Sequence, residues 1–365
     1  MPILIFLNLF LKRIDERMNI DIKISDKREW KKLEENPQHG TIFHTWEWLK
    51  IVEKHANMRL YPIIGMKGTT VVGIYPIFLH KRLLRSVFSP PPWVAVPYLG
   101  PVILEYEKLK QDKKESIFIE FQRCVDDFIR EEMRAHYSLI KTAPGIIDAR
   151  PFKWNGYMVE PIYNYVIDLR KGADFAWKMF KRELRKNISI AQKKGISVRE
   201  GSKEELEWIY ETIVTRYEEQ NRKTSLSKGY LMDLFNTFHP QNMKVFVAKY
   251  NGELIGGMID FYYKNKVTSW LGNVKSNVGG MSPNELLQWE AIKHAIKCGM
   301  EYYEEIGANT ERLCHYKSKY NPSLSICFSA KKNTSVVSKM METFYLKILR
   351  PMRKSVRINK IFKRR

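Results

Sequence analysis

The sequence has no apolar run approaching the roughly 18 to 20 residues that a bilayer-crossing helix needs, so the expected protein is soluble or peripheral to a membrane. It is poor in cysteine, with only Cys124, Cys298, Cys314 and Cys327 and no Cys-x-x-Cys spacing. A disulfide framework is therefore not expected, and a reduced, cytoplasmic setting is the simplest reading. Cys314-His315 with Cys327 lacks an evident fourth ligand, and no metal is expected. Acidic residues are short too: 40 Asp/Glu face 62 Lys/Arg, a formal charge of +22, which points to anionic partners such as RNA or an envelope surface. No Ser-His-Asp or Cys-His motif is present, so chemistry through a covalent enzyme intermediate is not expected. The opening MPILIFLNLFLKR is apolar before it is basic, the reverse of a secretory signal, and no small-residue cleavage site follows. Met18 opens MNIDIKISDKREW, a strand and then a helix start, so residues 1–17 are expected to be a mis-assigned start, with a short membrane-surface anchor as the alternative.

What is present centres on residues 243–307. MKVFVAKY, ELIGGMIDFYY and KVTSWLGN are β-branched and aromatic runs, separated by Asn251-Gly252 and Lys264-Asn265 as two-residue hairpin turns. The loop VKSNVGGM leads to Ser282-Pro283-Asn284-Glu285, where Ser282 suits a helix cap, Pro283 the first helical position and Glu285 a capping box. Leu286, Trp289, Ile292 and Ile296 make one apolar face and Leu287, Ala291 and Ala295 a second, so this helix packs on two sides before Gly299 ends it and EYYEEIGA follows as a strand.

The same order recurs upstream. LYPIIGM, TTVVGIYPIFL and PYLGPVIL read as strands, SIFIEFQRCVDDFIREEM as a helix and HYSLIKTAP as a strand, an internal repeat by pattern. At 44% hydrophobic over 365 residues, the chain can bury cores for about two domains. Ser86 to Pro97, with three consecutive prolines, is expected to be a rigid surface loop that lines a cleft. Phe175 to Lys194 is expected to be one basic helix, and helices are also expected at Glu204 to Glu219 and Ser227 to Phe238. Residues 331–365 hold twelve Lys/Arg against the single acid Glu342, so 12 − 1 gives +11, half of the chain's charge. With Val337, Met341, Phe344 and Ile348 on one face, this reads as a basic amphipathic tail suited to anionic lipid or nucleic acid, or as a solubilising tail.

A three-strand meander, a glycine-containing loop, a helix and a further strand resemble the core of the GNAT acyltransferase fold. SPNELLQWEAIKHAIKCG, YYEEIGA and Tyr316-Lys317-Ser318-Lys319-Tyr320-Asn321 resemble the Fem-like branch more particularly; Glu305 stands where that branch has Asp and Asn321 where it has Gly. The resemblance implies an α/β (α+β) fold of two tandem GNAT-like domains, each a mixed, mostly antiparallel sheet flanked by helices, at 18–164 and 165–330. It implies an N-acyltransferase using acyl-CoA or aminoacyl-tRNA, acting on a small-molecule or cell-envelope acceptor, at the inner face of the membrane. No long heptad insertion of the kind some Fem proteins use on tRNA is seen.

It also implies site residues. Gly272 and Asn273 sit where the fourth strand should bulge from the fifth and free a backbone N–H for an oxyanion. The coenzyme A loop is matched only in degraded form by residues 277–282, while Gly280, Ser282 and Asn284 at the helix N-terminus suit an anion. Lys317 and Lys319, with Tyr316, are expected to hold a donor phosphate or offset oxyanion charge. Lys317 is further expected to contribute little to the core. Arg222 resembles an arginine recurring in the branch. Asp260, Tyr262, Tyr263 and Glu305 are candidates for moving the proton, with strand tyrosines also serving packing. The competing class is a non-catalytic basic protein on the same fold that binds RNA or an anionic membrane; specific DNA binding is not expected.

Overall fold

The computed structural model describes residues 19–35, 40–81, 84–273, 278, 280 and 283–334. The expectations for residues 1–17, for Ser282 as a cap and for most of the 331–365 tail fall outside these residues. In chain order the strands are β1 (Asp21–Ile24), β2 (Arg59–Lys67), β3 (Thr70–His80), β4 (Ser86–Ser89), β5 (Val102–Ile103), β6 (Tyr137–Lys141), β7 (Met158–Asp168), β8 (Ser197–Glu200), β9 (Met243–Tyr250), β10 (Glu253–Tyr263), β11 (Lys266–Asn273), β12 (Tyr302–Glu305) and β13 (Ser323–Asn333). The α-helices are α1 (Lys27–Glu34), α2 (Trp46–Ala56), α3 (Gln111–Glu131), α4 (Arg150–Trp154), α5 (Gly172–Met179), α6 (Arg182–Lys193), α7 (Lys203–Glu219), α8 (Lys228–Phe238), α9 (Pro283–Lys297) and α10 (Glu311–Lys317).

All strands join one mixed sheet in the order β1-β2-β3-β4-β6-β13-β7-β12-β11-β10-β9-β8, with β5 paired to β3. The order repeats. On one side β1 to β4 run antiparallel and β4 then pairs β6 in parallel. On the other, β8 to β11 do the same before β11 pairs β12 in parallel. A helix bridges each parallel pair, α3 in the first half and α9 in the second, as a crossover between parallel strands requires. The centre is exchanged: β7, which follows the first half in sequence, pairs β12 of the second, and β13, which ends the second, pairs β6 of the first. The division expected at 164/165 thus falls inside β7, a strand that both halves use.

Local chemistry accounts for much of this. Asn251 and Gly252 both have positive φ, 51° and 83°, as a two-residue primed turn demands. Three places depart from the sequence reading. The third strand of the first half is Ser86–Ser89, not PYLGPVIL, and it lies inside the sheet rather than in a surface loop. Proline constrains the chain only from Pro90 onward, and Val87 and Phe88 before it are buried. Within PYLGPVIL the prolines and Gly100, at φ 71°, interrupt the ladder, so only Val102–Ile103 pair with β3. The basic helix expected over 175–194 breaks at Phe180, whose backbone is extended; its ring packs on Trp289 and Tyr320, and the next N–H, that of Lys181, donates to Lys319 O at 2.9 Å.

The largest apolar cluster joins the halves. Phe43 and Trp48 from the first pack with Phe238, Phe261 and Trp270 from the second, with the Trp48 and Phe261 rings at 4.6 Å. Separate clusters fill the space beneath α3 and beneath α9.

Candidate active site

β11 and β12 pair in parallel only from Lys266↔Tyr302 to Ser269↔Glu305. Beyond Ser269, β11 continues to Asn273 against β10 alone while β12 has ended. The two strands part there, and a cleft of about 680 Å³ opens at the fork. Its walls come from Ser269 to Gly272 of β11, from Asn284, Leu287 and Gln288 of α9, and from Glu305 and Ile306 where β12 leaves the sheet. Arg312, Leu313, Tyr316 and Lys317 of α10 and residues 213–226 around the end of α7 close it, and Ala95 of the first half forms part of the rim.

A bulge lies beside the fork. The β10–β11 register steps from Ile259↔Leu271 to Asp260↔Ser269, which leaves Trp270 as the extra residue. This bulge faces β10 and is separate from the parting of β11 from β12 expected at Gly272 and Asn273, which lie beyond the last β12 pair at Ser269; the Trp270 indole is taken into the core between the halves and its Nε1 donates to Ala95 O at 2.7 Å. At Gly272 no atom lies within 4 Å of where a Cβ would stand, so this residue leaves the cleft wall open.

Glu305 is the carboxylate of the cleft, at 2% exposure. One oxygen accepts from Gln288 Nε2, and Oε2 has no hydrogen-bond donor among the described residues. Burial pushes the group from 4.5 to about 7, against the opposing pull of the Lys317 ammonium and the Gln288 amide. A base poised near neutrality suits proton abstraction. Burial likewise lowers the Lys317 ammonium, with Glu305 opposing. Lys317 is not a free side chain at the cleft mouth: Nζ donates to Ile306 O and, at 3.3 Å, to Gly307 O. It clamps the segment by which β12 leaves the sheet, so the expectation that it contributes little to the core fails. The Tyr316 phenol, also in the cleft, is raised by burial and stays protonated at neutral pH.

Of the residues singled out from sequence, Gly272, Glu305, Lys317, Tyr316, Arg222 and Asn284 line this one cleft. Asn273 ends β11, paired with Gly257, and is not among the lining residues. Gly280, at φ 79°, is not among the lining residues. Lys319 lies outside the lining as well; its ammonium, lowered by burial but raised further by its partners, bridges Glu183 of α6 at 3.0 Å and Glu285 of α9 at 3.6 Å. The strand residues Asp260, Tyr262 and Tyr263 do not reach the cleft. Tyr303 Oη donates to Asp260 at 2.8 Å, Tyr262 Oη meets His294 Nδ1 at 2.9 Å, and Tyr263 Oη donates to Glu34 O.

Sequence reasoning missed Gln288, Arg216 and Arg312. Gln288 had a signal: three and four residues before Ala291 and Ile292, it is a polar residue on a buried helix face. The arginines had none, since α7 and α10 meet only in the folded chain. With Arg222 and Lys317 they give the cleft four cations against one carboxylate, a lining that favours an anionic ligand. Among the described residues no three His, Cys, Asp or Glu side chains converge to hold a metal ion.

The acetyltransferase (GNAT) domain family matches residues 178–318, a span that contains the fork, α9 and Lys317. Among solved structures the chain is similar to FemX, with a TM-score of 0.64 at 13% identity over 85% of this chain and 96% of that one. It is also similar to L-PGS from Bacillus licheniformis, with a TM-score of 0.50 at 13% identity over 87% and 96% of the two chains. A tandem GNAT protein from the clavulanic acid biosynthesis pathway, crystallised without AcCoA, gives a TM-score of 0.50 at 9% identity over 87% and 99%. No curated protein sequence matches. Residues 178–318 thus carry a GNAT acetyltransferase domain. By fold the chain belongs with the Fem-like, tandem form of that architecture.

Proposed function

We propose that the protein transfers an acyl or aminoacyl group to an amine on a cell-envelope sugar, lipid or peptide, by direct attack at the β11–β12 fork. The observation that carries this reading is Glu305, a buried carboxylate at the apex of the fork, held near neutrality and with one oxygen that has no partner among the described residues. In this reading the acceptor enters as the neutral amine, its nitrogen bonds to the donor carbonyl carbon, and Glu305 takes the proton that the nitrogen loses. Charge on the carbonyl oxygen develops beside β11 after Ser269, where no strand pairs on the β12 side, at Gly272 and Asn273, and Gly272 leaves room for the donor. As the tetrahedral adduct collapses, the C–S bond of an acyl-CoA or the C–O bond of an aminoacyl-tRNA breaks, and Tyr316 supplies a proton to the leaving sulfur or oxygen. Lys317 holds the loop that carries Glu305 and tempers its affinity for protons. Gly280, Asn284 and the first turn of α9 receive the donor's phosphates, with Arg216, Arg222 and Arg312 contributing charge. The tandem domains are proposed at 18–164 and 165–330, sharing β7.

GNAT domains use acyl-CoA, and the Fem-like fold with the basic cleft keeps aminoacyl-tRNA open as donor. The test is to supply the protein with radiolabelled acyl-CoAs and aminoacyl-tRNAs in turn, together with an extract of envelope precursors, and to follow the label into amides. Donor-dependent amide formation that disappears in Glu305→Gln is expected. Failure of both donor classes, with retained binding of RNA or anionic vesicles, would leave the non-catalytic reading instead.

A further inference from the structure

We propose that α5 and the first turn of α6 form a docking ridge for an anionic bilayer, distinct from the basic C-terminal residues. Phe175 and Met179, one turn apart on α5, are 39% and 45% exposed, while Ala176 and Phe180 on the opposite side are buried. The same two elements and the residues just before them carry exposed cations, Lys171, Lys178, Lys181, Arg182 and Lys186, and Lys171 lies over the Phe175 ring. Lys178, Lys181, Arg182 and Lys186 have no ion pair or side-chain hydrogen bond among the described residues, and neither does the one exposed acid on α5, Asp174. The acid of the next turn, Glu183, is already taken by Lys319 at 3.0 Å. Two exposed apolar side chains on a segment whose exposed cations outnumber its acids match an interface of acyl chains beneath anionic headgroups.

RNA fits less well. The Lys171 ammonium sits 4.6 Å from the centre of the Phe175 ring, which covers the face a base would stack on, and Met179 offers no stacking face.

The ridge is coupled to the cleft. Lys181 N–H donates to Lys319 O at 2.9 Å, two residues beyond cleft-lining Lys317, so the ridge is joined to the segment that follows the cleft. For the acceptor's location the inference rests on the proposed transfer reaction. The docking itself does not, and it is measured without any acyl donor.

The experiment is flotation of the full chain with phosphatidylcholine vesicles, with and without phosphatidylglycerol. The parent is expected to float only with the anionic vesicles. Phe175→Ser/Met179→Ser should weaken that partition about tenfold or more, and Lys178→Glu/Lys181→Glu/Arg182→Glu about a hundredfold or more. If the charge-reversed variant melts early, the apolar double variant decides, because it alters only exposed side chains. Vesicle binding by the double variant equal to the parent's would overturn the proposal, since the attachment then lies elsewhere. So would a parent that binds RNA but not vesicles, or a parent dimer that the double variant dissolves.

Discussion

Replacing Glu305 with glutamine exchanges one oxygen for an amide and keeps the shape, yet stability and activity should move in opposite directions. The wild-type carboxyl titrates near 7 instead of 4.5 because it is buried, and that difference corresponds to about 3 kcal/mol at 1.36 kcal/mol per pH unit. The folded state therefore holds this proton to higher pH than the unfolded chain does. Stability from this group is fully present below about pH 4.5 and declines as pH rises through about 7. Glutamine carries no proton to lose, and its oxygen still accepts from Gln288. Glu305→Gln should thus melt close to the parent at pH 5 and above it at pH 8, with a difference of up to about 3 kcal/mol. Acyl transfer should fall about 10²- to 10⁴-fold, the usual contribution of a general base, and the rising limb of the pH–rate profile near 7 should vanish. Thermal melts at both pH values and a transfer assay with the identified donor read the two effects. A variant that melts below the parent at pH 8, or one that keeps the parental rate, would refute the assignment.

Lys317→Met should lower the melting temperature by the equivalent of about 1 to 3 kcal/mol, because the carbonyls of Ile306 and Gly307 lose their donor. It should also move the pH–rate limb upward, since the cation opposing the Glu305 shift is gone; an unmoved limb would separate the two residues. Tyr98→Phe removes a 2.6 Å hydrogen bond from the first half to buried Glu304 of the second and should cost about 1 to 3 kcal/mol in thermal melts; an unchanged melting temperature would show that this contact between halves is idle. Arg222→Ala and Arg312→Ala should each weaken donor or acceptor binding about tenfold or more in KM with little change in stability, as both side chains are exposed. Unchanged KM values for both substrates would remove these residues from the ligand site.

The second-half meander was legible in sequence because its information is local. Asn251-Gly252 sets its turn, and β-branched alternation and the two-faced pattern of residues 286–296 specify strand and helix without reference to anything distant. The recurrence of a helix and then a strand after each set of strands was legible as a repeat of that pattern, whereas the parallel pairing of β4 with β6 and of β11 with β12 appeared only in the fold. Ser86–Ser89 was misread because four residues beside a proline run carry too little period to announce a central strand. The break at Phe180 was invisible for another reason: it depends on Trp289, Tyr320 and the Lys319 carbonyl, all more than a hundred residues away. The same holds for the site. Glu305, Lys317 and Gly272 could be named from motif wording and strand order. Only the fold decided that Glu305 is buried beside Gln288, that Lys317 spends its charge on two backbone carbonyls, and that Lys319 faces away from the cleft. Those properties come from desolvation and from partners on α6, α9 and the segment after β12 that meet only in the folded chain, and neither is written in any contiguous stretch of the chain.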